Sequence, residues 1–285
     1  MTPFKQCMHG ALARQDSVEL ADAAEAVIEY QLASGKFKVP LLPPNAELVL
    51  RAATQPEPDL ATIGKTLHRD GMIASHVLRL ANSPVYRGVT AISGLDQAVL
   101  RLGANKLREI ALIVGCKRVL LSTLGYEEEL SAILRHGLAT AIVAEAIART
   151  LQQDQEQSFL QGLVHDIGEA VIIHAISRLP SGTPPRELVL GLARRHHVRA
   201  SVSVVGQWQL PTRLGEVIAH HHDDEPPAEV AMAVRRLQLA ESLLEEEPDA
   251  ELMQRSVDYL ALPASSISQL RKSAGVAMEQ AIEFF

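Results

Sequence analysis

The sequence predicts an all-α protein made of two packed helical bundles, on three observations. Apolar residues recur at helical spacing with few breaks along 285 residues, and no pair of alternating runs reads as a hairpin. Hydrophobic residues make up 47% of the chain but aromatics only 4%, so the core must come from Leu, Ile, Val and Ala packed helix on helix. The segment Ser122–Glu129 interrupts the pattern and reads as a hinge between two groups of helices.

The elements follow in order. Ser17–Ala33 carries Val18, Ala21, Ala24, Ile28 and Leu32 on one face, with Ser17 as its expected N-cap. Pro40, Pro43 and Pro44 make Lys38–Pro44 an extended strap. Asp59 caps a helix from Leu60, and a turn at Asp70–Gly71 closes it. Met72–Ala81 ends at Asn82-Ser83-Pro84, and Leu95–Leu102 ends at Gly103, read as a C′ glycine. Lys106–Leu121 completes the first bundle, with Leu107, Ile110, Ala111 and Val114 on its buried face. The second bundle is expected over Glu129–Gln152, Gln157–Leu179, Arg186–His196, Ala200–Gln207, Thr212–His220 and Ala228–Glu245, with a last helix from about Ser265. The expected domains are an N-terminal helical extension over 1–38, a helical subdomain over 39–124 and a second over 125–285.

Composition narrows the function. Net charge is −7, so the chain has no general attraction to nucleic acid or to an anionic membrane. Cys7 and Cys116 are far apart and form no CxxC pair, which excludes a thiolate metal site or a disulfide framework and suits a reducing compartment. The first residues lack a long apolar run, so no signal peptide is expected, and no run of 18 apolar residues points to a membrane span. These features make a cytoplasmic location the expectation.

Histidine carries the chemical signal. His136, His165-Asp166, His196-His197 and His220-His221-His222 all fall in the second bundle. Imidazole and carboxylate are preferred ligands of first-row transition metals, and bundles build such sites from facing helices. The same residues also suit buried packing pairs, and three consecutive helical histidines would not share one face. His9, His68, His76 and His174 read as incidental.

GLVHDIGEAVI resembles the signature of the HD metal-dependent phosphohydrolases. LPPNAEL, LHRDGMIASHVLRLANSPVY and ISGLDQAVLRLGANKLREIAL, followed by HHVRASVSVVGQWQLPTRLGEVIAHHH, resemble successive motifs of the HDOD (HD-related output domain) family. The resemblance runs from about Leu41 to about Glu225. It implies an all-α fold with an HD-like C-terminal bundle and a bacterial signal-transduction role. From the related hydrolases it places His136, His165, Asp166, His197, His221 and His222 on metal-ligand positions, for iron, manganese or zinc. Three departures weaken an enzyme. Asp223-Asp224-Glu225-Pro226-Pro227 stands where HD-GYP enzymes have Gly-Tyr-Pro. Glu169 replaces a phosphate-neutralising Lys, and Glu241 lies where a last ligand Asp is expected.

The expected function is therefore a non-catalytic regulatory module that binds a signalling protein or a small nucleotide ligand. A metal-dependent phosphohydrolase or cyclic-nucleotide phosphodiesterase is the alternative. DNA binding through Leu60–Leu80 as helix-turn-helix ranks last, because Ile73, Val77 and Leu80 put apolar groups on the helix that would read bases.

Overall fold

Aspartates and prolines start most of the described helices of this chain. Its computed structural model describes residues 19–83, 86, 88, 90–179 and 184–285. The expected Ser17 cap, Cys7, His9, Pro84 and most of the loop at 180–185 lie outside the described residues. No strand occurs among the described residues. Asp59, Asp70, Asp154 and Asp249 each accept a backbone N–H of the helix that follows. Pro43, Pro185, Pro211, Pro227 and Pro263 precede five others, where a fixed φ suits chain entry and no donor is lost. The described part of the first helix, α1, covers residues 19–33.

The chain separates into two units, residues 41–122 and residues 123–285 together with the N-terminal segment to Pro40. The smaller contains α2 (Pro44–Ala53), α3 (Leu60–Leu67), α4 (Gly71–Ala81) and α5 (Leu95–Leu120). Val49, Ile63, Leu67, Ile73, Val77, Leu107 and Leu112 form its core. The break expected after Leu102 is a kink inside α5, where Gly103 takes φ +73°, a conformation that favours glycine. Ile73 and Val77 point into this core, so the inner face of α4 is committed to packing.

The larger unit holds α6 (Glu127–Thr150), α7 (Gln155–Val164), α8 (Ile167–Ile176), α9 (Arg186–Gln207), α10 (Thr212–Ala219), α11 (Ala228–Leu244), α12 (Ala250–Tyr259) and α13 (Ala264–Phe284). Four elements differ from the sequence expectation. Gln157–Leu179 is two helices, because the chain breaks at His165–Asp166. Arg186–His196 and Ala200–Gln207 are one helix. The helix expected to reach His220 stops at Ala219, which leaves the three histidines in a turn. Finally, α12 was not anticipated, although Asp249 gives it an ordinary aspartate cap. Residues 127–150 and 155–176 are long and apolar enough to cross a membrane by composition, but 56% and 83% of those windows are buried inside the protein, as in core helices.

Residues 36–40, which include the start of the strap expected over Lys38–Pro44, dock on the end of α9, while Pro44 already belongs to α2. The Gln207 amide donates to the Phe37 carbonyl at 2.6 Å and accepts from the Val39 N–H at 3.2 Å. The Trp208 indole donates to the Pro40 carbonyl at 3.0 Å, and Phe37 and Val39 are buried. One amide thus satisfies two backbone groups of a segment with no secondary structure of its own. Gln207→Ala should lower stability by about 1–3 kcal/mol, the cost of orphaned buried polar groups. Urea unfolding checks this. Emission of Trp208, the only tryptophan, should shift to the red in the folded variant as the strap loosens. An unchanged midpoint and spectrum would show that the strap is not held by this amide.

Candidate metal centre

The centre is built where helix backbones approach unusually closely. A Cβ on Gly162 of α7 would lie 2.5 Å from the Ala141 nitrogen of α6, and one on Gly137 would lie 2.8 Å from the Leu163 carbonyl. Glycine at both positions lets α6 and α7 touch backbone to backbone, which brings His136 beside His165 with ring centroids 5.3 Å apart. A Cβ on Gly168 would sit 2.1 Å from the His197 carbonyl oxygen. There α8 lies against α9, and the Gly168 N–H donates to the Ser201 hydroxyl at 2.8 Å. Asp166, two residues earlier, meets His197 as a result.

All six residues singled out from the sequence come together, and Glu241 joins them. They form two groups of potential ligand atoms, each with its atoms within 4.8 Å of one another. One is His136, His165, Asp166 and Glu241, the other Asp166, His197, His221 and His222. Asp166 belongs to both. Its Oδ2 lies 3.3 Å from His165 Nε2, and its Oδ1 lies 3.3 Å from both His197 Nε2 and His221 Nε2. Glu241 Oε1 lies 3.2 Å from His165 Nε2, and His197 Nε2 lies 3.0 Å from His222 Nε2.

The backbone fixes which nitrogen faces inward. His165 Nδ1 donates to Gly162 O at 2.8 Å, His197 Nδ1 to Arg194 O at 2.6 Å and His221 Nδ1 to Ile218 O at 2.6 Å. A carbonyl only accepts, so Nδ1 carries the proton and the Nε2 lone pair is left for the centre. His165 Nε2, His221 Nε2 and Asp166 Oδ1 are buried without a hydrogen-bond partner, since their short mutual contacts are not aligned as hydrogen bonds. Orphaned buried acceptors around a shared carboxylate are what a cation would satisfy, so the donor set fits a transition metal.

The field of the centre is consistent with this. Burial pushes the Asp166 carboxyl up, but the His165 and His221 imidazoles outweigh it and hold the group well below the usual carboxylate range. Burial opposes charge on His165, while Asp166 and Glu241 more than offset it and hold its pKa well above 6.5. Burial lowers His136, His197 and His222. Two partly buried carboxylates thus draw positive charge onto the nearest base. Glu169, in the first turn of α8, is pushed up to about 7 by burial and by the Asp166 carboxylate.

Other described histidines have partners of their own. His220 bonds Asp223 at 2.6 Å, His174 bonds Thr123 at 2.7 Å and exposed His68 pairs with Asp96. Buried His196 contacts Glu25 of α1, which also receives Arg195. Glu241 was noted in the sequence but left out of the ligand set because its side chain is one methylene longer than Asp; here that length reaches His165.

Residues 39–224, more than half of the chain, match the HDOD domain family. An uncharacterised protein of Treponema pallidum (strain Nichols) is 24% identical over 196 residues, 65% of this chain, and the chain spans only 38% of that protein. A candidate metal-dependent phosphohydrolase from Shewanella amazonensis SB2B superposes with a TM-score of 0.71 at 17% identity, over 91% of this chain and 99% of that one. An HDOD domain protein of unknown function from Geobacter sulfurreducens gives 0.65 at 22%, over 90% and 99%. These likenesses establish the all-α fold.

The close approach at Gly168 yields a direct test. Gly168→Ala should cost about 1–3 kcal/mol or more, since overpacking against backbone has no flexible neighbour to absorb it. Gly191→Ala, on α9 where a Cβ meets nothing within 4 Å, should be neutral or slightly stabilising. Equal urea midpoints for the two variants would refute the account of how Asp166 reaches His197.

Proposed function

The chain belongs to the HDOD family, and from that premise we propose that it is a metal-holding regulatory module of signal transduction that works by binding rather than turnover. Its partner would be a signalling protein or a small nucleotide ligand, and its setting the bacterial cytoplasm. His136, His165, Asp166 and Glu241 would hold one divalent ion, and Asp166, His197, His221 and His222 a second. Iron, manganese and zinc all suit imidazole with carboxylate. Bound there, such ions supply Lewis acidity and acidify a coordinated water.

Glu169 carries the non-catalytic reading. It is close enough to Asp166 for the two carboxylates to repel. In HD hydrolases, by the resemblance, this position commonly holds a lysine that would attract phosphate. A glutamate here offers a phosphate no positive charge in either protonation state, and repels it when ionised. The opposing reading, metal-dependent hydrolysis of a phosphate ester, has support in the complete pair of donor groups sharing Asp166. In sequence, DNA binding has only the helix pair α3–α4, whose second helix buries Ile73 and Val77.

Elemental analysis of protein purified without a histidine tag or chelator tests the metal. Near-stoichiometric iron, manganese or zinc is expected, reduced in His165→Ala and lost in Asp166→Ala, the residue common to both groups. A metal-free parent, with variants that are merely less stable, would make the cluster a packing device. Bis(p-nitrophenyl) phosphate incubated with the loaded protein should give no turnover. Hydrolysis abolished by Asp166→Ala would move the protein to the phosphohydrolase reading.

A further inference from the structure

The two groups of donors are supported very differently. His136 and Glu241 stand on α6 and α11, and His165 caps α7, with its backbone N–H still bonded to Gln161 O. His221 and His222 stand in the turn after α10, beyond the last helical residue, Ala219. A turn by itself holds two imidazoles poorly, so their positions depend on whatever grips the turn.

That grip comes from α11. Gln238 Nε2 donates to His221 O at 2.9 Å and to Asp223 O at 3.0 Å. Its Oε1 accepts from Arg235 Nη1 at 3.0 Å, and Arg235 Nη2 donates to the Asp224 carbonyl. Gln238 is 3% exposed and Arg235 5%, so these bonds form out of water. Burying a guanidinium is expensive, and this one is hydrogen-bonded to a neutral amide and a backbone carbonyl. Arg235, Gln238 and Glu241 are spaced i, i+3, i+6, so one stripe of α11 carries both the brace and a donor of the other group.

We propose that Gln238, oriented by Arg235, is the positioning residue of the second cation position, setting the affinity of Asp166, His197, His221 and His222 without touching the ion. The proposal rests on the metal-holding reading above. It divides the centre into a helix-borne position that fills first and a braced position that fills second, so that occupancy of the second reports the state of the 221–224 turn.

Titration of metal-stripped full-length protein with cobalt(II), followed by visible absorption and calorimetry, tests it. The parent should bind two ions. Gln238→Leu, which keeps the volume and removes the donor, should bind the first with parental affinity and the second about 10–100-fold more weakly, the usual effect of losing an outer-shell partner. Gln238→Glu, which keeps the acceptor for Arg235 but cannot donate to both carbonyls, should behave alike and guards against a folding defect in the first variant. Glu241→Gln should weaken the first ion instead. Two ions bound with parental affinities by both Gln238 variants would overturn the proposal. So would an equal weakening of both ions, or loss of helical structure in both variants, since these mark a general structural role. A parent that binds no cobalt fails before any variant is compared, and that failure belongs to the metal-holding reading itself.

Discussion

Everything at the centre depends on helix backbones meeting without side chains between them. Gly137 against Leu163, Gly162 against Ala141 and Gly168 against His197 are contacts that a single methyl group would open. Close packing of this kind has little slack, because interiors are dense and a displaced helix carries its neighbours with it. His136 adjoins one of these glycines. His165 hydrogen-bonds the carbonyl of the second and Asp166 is two residues from the third. The spacing that seats the helices is therefore the spacing that seats the ligands.

A second constraint acts on the adjacent pairs. Neighbouring residues inside a helix diverge by roughly 100°, and His165-Asp166 or His221-His222 would splay apart if the helix continued. The chain stops each helix at those residues. Asp166 takes φ −105° and ψ 8° between α7 and α8, and the His221 and His222 rings come within 3.9 Å in the turn after α10. Leaving the helix frees these side chains to converge, but it also gives up backbone hydrogen bonds that must be replaced. Around the second pair, Gln238 and Arg235 replace them.

Much of this was legible in the sequence, for physical reasons that can be named. The all-α class followed from periodicity and from an aromatic-poor core. Asp59 marked its helix start because an aspartate before an apolar period has one obvious use. The ligand candidates were visible as residue types whose spacing matched a family pattern. The helix break at His165–Asp166 was hidden, because Gln157–Leu179 is apolar enough to read as one buried helix, and only the tertiary approach at Gly168 decides the matter. The unity of α9 was hidden by His196-His197, a polar patch that turns inward. Gln238 and Arg235 gave no signal, since their role depends on backbone carbonyls of a turn whose position no local pattern encodes.

The electrostatic character of the centre separates holding an ion from using it. Five imidazoles converge on two partly buried carboxylates, which favour positive charge among them and raise His165 above its ordinary pKa. Hydrolysis of a phosphate ester asks for the opposite field one step further out, where the substrate brings its own negative charge. Glu169, in the first turn of α8, supplies no positive charge for that purpose, and burial together with the Asp166 carboxylate pushes its carboxyl up to about 7. A donor set that attracts cations, with an acidic side chain rather than a basic one beside it, is better suited to holding a metal than to drawing in an anion, and that difference is the electrostatic basis of the regulatory reading proposed above.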